Sequence, residues 1–314
     1  VTLDDIWFAA VAVLFTGCFV REGCDLGVGV LLAYLPKEER ERQVMVGTIK
    51  PVWGGNGVWL IAAGGVVFAA FPEWCATLAD GFLVILLALI VRGVALVYRG
   101  EHPGKKWDRC LFWSSLVLAF LWGVMFAAVV RGIALDEKPE FRDLLHPFVL
   151  LGGLTTTALF GTHGAVFLAL RTRGRIRRKA KGVAEKSGVV AAVLVIAFLT
   201  WAQAMEGSFA GVLLTVAAIG AWGAGMAANF FGRECWAFLG SAAAIGAATI
   251  SLFAALYPEV LPSTAGSENG PDTENAASTS KTVQIMTWVA VVFLSWTYWV
   301  FRRRIGVRNI PASH

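Results

Sequence analysis

The sequence predicts an all-α polytopic membrane protein of about nine transmembrane helices, on three observations. Hydrophobic residues make up 57% of the 314 positions and charged residues only 16%, a balance too apolar for a soluble domain. The apolar residues gather into uncharged runs of about twenty, the length that carries a helix across the hydrocarbon core. A transmembrane barrel would instead alternate over segments of about ten. Finally, lysine and arginine are concentrated in every second connection between the runs, the signature of membrane topology.

The first run, residues 6–35, follows Asp4 and Asp5, where a secretory signal would be basic, and no small-residue cleavage site follows it. It is therefore retained as the first span. The second, 52–71, opens with a polar, glycine-rich knot. Gly54, Gly55 and Gly57 allow another backbone to approach, while Trp53, Asn56 and Trp59 carry polar groups that need partners out of water. These six positions, with Arg92 on the third span, are the expected helix-contact residues. The third span is 78–98, the fourth 111–130 and the fifth 147–170. The sixth, 188–205, and seventh, 209–230, are separated only by Glu206, Gly207 and Ser208. The eighth is 236–257 and the ninth 283–301. Between the last two, residues 262–280 are rich in Ser, Thr, Asn, Gly and acid and read as an external loop. The parity suits two four-helix units in one orientation plus a ninth, peripheral helix, all within a single integral membrane domain over 1–314.

With the N-terminus outside, cytoplasmic segments hold Lys37, Arg40, Arg42 and Lys50, then Arg99, Lys105, Lys106 and Arg109. The basic stretch from Arg171 to Lys186 adds eight more, followed by Arg233 and by Arg302, Arg303, Arg304 and Arg308. The external loops hold only Arg131, Lys138, Arg142 and Lys281. This asymmetry places the C-terminus in the cytoplasm. The formal charge of +5 thus reflects topology and contact with anionic lipid, not nucleic-acid binding.

Arg21, Glu22 and Asp25 place three ionisable groups inside the first apolar run. Each costs at least about 2.5 kcal/mol at the bilayer centre unless paired, hydrated or used. Arg21 and Asp25, four apart, share a helix face and could simply pair. In the functional reading, Asp25 and Glu22 are the candidates for a proton or ion route. Arg92 either snorkels to the interface with Arg99 or pairs with Glu22 or Asp25. Of four histidines only His163 lies inside a span, so the chain is a poor host for a haem with two axial side chains. No haem ligand and no metal site is expected. The five cysteines form no C-x-x-C pair and read as small buried hydrophobes. With no phosphate loop, nucleophile elbow or zinc motif, the chain carries no complete catalytic site, and a partner brings any cofactor.

Gly23-Cys24-Asp25-Leu26-Gly27-Val28-Gly29, the run Pro51 to Leu60, Ala63-Gly64-Gly65, Phe68 to Pro72, Arg92-Gly93, Pro258 to Thr264 and Met286 to Val292 resemble subunit 2 of the cytochrome bd-type quinol oxidases. The resemblance spans most of the chain and keeps its order. It implies a nine-helix subunit in a bacterial cytoplasmic membrane, paired pseudosymmetrically with a larger subunit 1 in a complex that oxidises quinol and reduces oxygen to water without pumping. It further implies that haem b and haem d belong to subunit 1, and that subunit 2 supports assembly, can take a structural quinone, and helps deliver protons from the cytoplasm. It leaves open a small extra subunit. Three positions depart from the family pattern. Gly54 stands where an acid is usual, Gly57 where Glu or Gln is common, and Val97 where an acid is expected. Either water fills those spaces, or the route moves to Glu22 or Asp25, or subunit 1 supplies it alone. The competing reading, from Arg21, Glu22, Asp25, Arg92 and the glycine-broken helices, is a stand-alone secondary transporter.

Overall fold

Eight α-helices follow one another in a computed structural model that describes residues 3–70, 72–101, 104–132 and 145–257. They are α1 (Leu3–Leu31), α2 (Glu39–Ala70), α3 (Pro72–Glu101), α4 (Lys105–Arg131), α5 (Pro147–Arg171), α6 (Gly174–Glu206), α7 (Phe209–Phe230) and α8 (Glu234–Leu256). No strand occurs among the described residues. Among the described residues, α1 and α3 to α8 contain stretches long and apolar enough to cross a membrane. The ninth span expected at 283–301 and the loop at 262–280 lie outside the described residues.

Two helices extend well beyond the apolar runs that announced them. α2 starts at Glu39 and continues through Pro51, which forgoes one backbone hydrogen bond inside the helix. α6 starts at Gly174, so most of the basic stretch is helical. Its apolar members Ile176, Ala180 and Ala184 are buried one turn apart, while Arg177 and Arg178 face out. That is the amphipathic period of a helix leaving the membrane, and average hydropathy does not register it.

α1 lies at the centre, against α2, α4, α5 and α8. α2 and α3 cover one flank through α1 and α4, and α6 and α7 cover the other through α5 and α8. The α1–α5 crossing is backbone on backbone: a Cβ added at Gly27 would overlap the Phe160 carbonyl oxygen and come to 2.8 Å of the Gly164 Cα. Only glycine permits that approach. The core around it is aromatic. Phe15 and Phe19 of α1 pack edge-on against Phe126 of α4 at centroid distances of 5.1 and 5.0 Å, and Phe253 of α8 closes the cluster 5.8 Å from Phe126. Ends are capped locally. His146 Nδ1 accepts from the Phe148 N–H ahead of α5, and Ser208 Oγ accepts from Gly211 N–H at 3.0 Å ahead of α7. α7 stops at Gly232, whose φ of 74° allows Arg233 N–H to bond back to the Ala228 carbonyl at 2.8 Å, a Schellman-type termination.

Candidate functional site: a buried ion cluster between α1, α3 and α4

Glu22 and Asp25 stand one turn apart on α1, and both are buried, 3% and 0% exposed. Arg92 enters from α3 with 1% exposure, and its Nη2 lies 2.9 Å from Asp25 Oδ1. The contact is ionic and lacks the alignment of a hydrogen bond; neither Asp25 oxygen has a hydrogen-bond partner among the described residues. Arg92 Nε donates to Ser115 Oγ on α4 at 3.1 Å. Three helices are therefore joined by one guanidinium. Glu22 Oε2 and Arg92 Nη1 are buried without hydrogen-bond partners among the described residues, a pattern that favours bound water or an exchanging proton.

The antiparallel register of α3 and α4 places a second polar rung one heptad away. Arg99 Nε donates to Asp108 Oδ1 at 2.5 Å, in the same register as Arg92 with Ser115, so the two rungs are about 10 Å apart along the helices. Between them Leu96 and Leu111 are buried as an apolar layer. Arg99 also pairs with Glu39 at the start of α2, and Arg42 Nε reaches Asp108 Oδ2 at 3.4 Å. Nearby, Arg175 Nη1 of α6 meets Glu41 Oε1 at 2.6 Å. The Lys37 N–H donates to Glu41 Oε2 at 2.7 Å, and this bond, with the Arg175 charge, holds the Glu41 carboxyl below the usual carboxylate range. This network ties α2, α3, α4 and α6 together at the basic end of the bundle. At the opposite end the Tyr257 hydroxyl donates to Asp5 Oδ1 at 2.9 Å, and that bond raises the phenol above its ordinary value.

Several residues singled out in the sequence thus meet, although two local readings give way. Asp25 pairs with Arg92 on α3 rather than with Arg21, whose side chain is exposed. Arg92 does not snorkel: packing encloses it and the ion contact repays its burial. Trp53 lies over Gly93 of α3, 3.0 Å from where a Cβ would stand, and Trp59 fills the space that Gly17 of α1 leaves. The two tryptophans of α2 therefore grip α3 and α1. Gly54, Gly55, Asn56 and Gly57 belong to α2, but their side-chain surroundings lie outside those described. Val97 is exposed. Sequence reasoning missed Ser115, Asp108 and Glu39. Ser114-Ser115 in an apolar run was a usable signal, but the pairing register was not.

Among the described residues the bundle interior holds one histidine and so no pair of axial ligands for a haem. His163 is fully buried, its Nδ1 is 2.7 Å from Ser241 Oγ, its ring is stacked on Phe238 at 4.9 Å, and its Nε2 has no hydrogen-bond partner among the described residues. No group of three or more His, Cys, Asp or Glu could hold a metal ion among the described residues. A small cavity of about 40 Å³, lined by Phe19, Trp122, Phe160, Phe198, Ile245 and Leu252 among others, lies in the aromatic core. The hydroxyls beside it are engaged with backbone carbonyls, Thr156 with Ala119 at 2.6 Å and Thr249 with Ile245 at 2.8 Å, so its wall is apolar.

Known proteins resemble this chain over nearly its whole length. It is 34% identical to cytochrome bd ubiquinol oxidase subunit 2 of Bacillus subtilis, with 97% of each chain covered. It is 29% identical to cytochrome bd-I ubiquinol oxidase subunit 2 of Escherichia coli K12, covering 98% of this chain and 96% of that one. Its fold matches a chain in the structure of bd oxidase from Geobacillus thermodenitrificans with a TM-score of 0.76 at 14% identity, over 96% of this chain and 98% of that one. The sequence profile described as cytochrome bd terminal oxidase subunit II matches residues 3–302, and the chain belongs to that family.

Proposed function

We propose that this chain is the accessory subunit of a bacterial inner-membrane terminal oxidase that oxidises quinol and reduces oxygen to water without pumping protons. It pairs with a larger subunit 1 that carries haem b and haem d. It supports assembly and helps deliver protons from the cytoplasm, with its N-terminus outside and its C-terminus inside. The family membership supports the complex. The single buried histidine among the described residues supplies no pair of axial ligands, which is compatible with haems in the partner. Nine helices in two four-helix units plus one peripheral helix are the arrangement we favour. In its support, the main contacts are largely preserved when α1 to α4 are exchanged for α5 to α8: α1 with α2 corresponds to α5 with α6, α3 with α4 to α7 with α8, and α4 with α5 to α8 with α1.

One observation carries the proton-delivery part. Glu22 and Asp25 are buried beside the Arg92 guanidinium between helices of membrane-crossing length, and such groups are retained in membranes chiefly along charge pathways. The Leu96–Leu111 layer then separates this cluster from the cytoplasmic network of Glu39, Arg42, Arg99 and Asp108, so protons cross it on transient water.

The test is purification of the complex from its native membrane, first as wild type and then as E22Q, which leaves Arg92 its partner Asp25. The wild type should bring down a larger, histidine-containing membrane subunit with haem b and d bands. The variant should keep that haem content while quinol-driven oxygen consumption falls roughly tenfold or more, the scale of losing a proton-transfer group. A colourless, solitary, stable protein would overturn the oxidase reading. Undiminished oxygen consumption at normal haem content would overturn the proton route alone.

A further inference from the structure

The buried cluster does not balance its charges if all of its members are ionised. It contains two carboxylates, Glu22 and Asp25, and one guanidinium, Arg92, none more than 3% exposed. The titratable and charged groups around Glu22 among the described residues are Cys18, Arg21, Cys24 and Asp25 on α1 itself and Arg92 from α3; of the two cations, Arg92 is buried in the cluster and Arg21 is exposed. Neutral thiols offer a carboxylate no countercharge.

Geometry assigns the buried cation. Arg92 is held from two sides, by its Nη2 at 2.9 Å from Asp25 Oδ1 and by the bond from its Nε to Ser115 Oγ at 3.1 Å. Glu22 has no salt bridge among the described residues, and its Oε2 is buried without a hydrogen-bond partner. A second ionised carboxylate one turn from Asp25, away from water, would be repelled by its neighbour and deprived of hydration. A proton on one of the two removes both penalties, and Asp25 already has its countercharge.

We infer that Glu22 is the member of the cluster that holds the exchangeable proton, while Asp25 and Arg92 remain a permanently ionised pair kept in place by Ser115 as a positioning residue. This deepens the proton-route reading and rests on it for its role in turnover. Binding converts the Glu22 carboxylate and one proton into a neutral carboxyl. Release to the next acceptor restores the carboxylate, and no other charge in the cluster moves.

The experiment is infrared difference spectroscopy of the purified complex in the protonated-carboxyl region, in H2O and in D2O. We expect a deuterium-sensitive carboxyl band that disappears in E22Q, moves in E22D because the acid has changed, and stays in place in D25E because Asp25 contributes only as a carboxylate. A band that moves in D25E and stays in E22D would overturn the assignment, as would the lack of any band responsive to these variants. E22D and D25E retain both acids and decide the question even where E22Q fails to assemble. The role of Ser115 is read from the pH at which the band titrates. S115A should displace it and S115T should restore it, whereas an unmoved titration in S115A would remove Ser115 from the proposal. If the band behaves as expected but E22Q turns over at the wild-type rate, the Glu22 proton stands and the proton route falls.

Discussion

Arg92 shows how much one side chain can decide. A guanidinium in a bilayer core costs at least about 2.5 kcal/mol on insertion scales, yet here it is enclosed, with Asp25 as its countercharge and Ser115 accepting from its Nε on two other helices. Removing it leaves both acids without a cation, and R92Q should destabilise the assembled complex by about 3–5 kcal/mol, the usual cost of orphaning a buried charge. D25N should cost clearly less, because Glu22 is one turn away and can ionise to take up the vacated pairing. Thermal denaturation of the two variants checks this asymmetry. Equal losses would mean that Glu22 cannot reach the guanidinium. At this scale the sequence revealed which residues were out of place in an apolar run, because charge in lipid is conspicuous. It did not reveal the partner, since Arg21 at the helical spacing from Asp25 was as good a candidate by spacing as Arg92 across the bundle.

Among the elements, α3 and α4 are held by rungs in one register, and α2 and α6 project past the apolar region to bring charges together. Glu41 joins two of these projections, accepting from the Lys37 N–H and from Arg175. Its carboxyl is held below the ordinary value of 4.5 in the folded protein. The folded state therefore binds the Glu41 proton less readily than the unfolded one. The resulting stabilisation is fully present above the unfolded value and is lost as pH falls through the folded one. E41Q should accordingly lower the melting temperature at neutral pH, with the gap to wild type closing in acid. A gap independent of pH would show that the loss is one of packing instead. The apolar cores of the helices were legible as hydrophobic runs. The extensions were not, because Met45, Val46 and Ile49 of α2 and Ile176, Ala180 and Ala184 of α6 are buried on one face of otherwise charged segments, where the period and not the average carries the signal.

For the whole molecule, the proposed orientation makes a direct prediction. Cys235 is exposed, next to Arg233 at the basic end of the bundle. In a variant keeping Cys235 as its one cysteine, a membrane-impermeant maleimide should label it in inside-out vesicles and not in intact cells. Labelling from the cell exterior would invert the topology. The sequence by itself determined that this is a bundle of membrane-crossing helices with its cations gathered on one side, and its motifs carried the family resemblance, because apolar run length, charge placement and motif order are linear properties of a chain. Only the tertiary structure decided that α1 is central, that Gly27 and Gly164 bring two backbones into contact, and that Asp25 forms its ion pair with α3 while Glu22 forms no salt bridge among the described residues. Those outcomes depend on helix register and rotation, which packing sets between segments far apart in the chain.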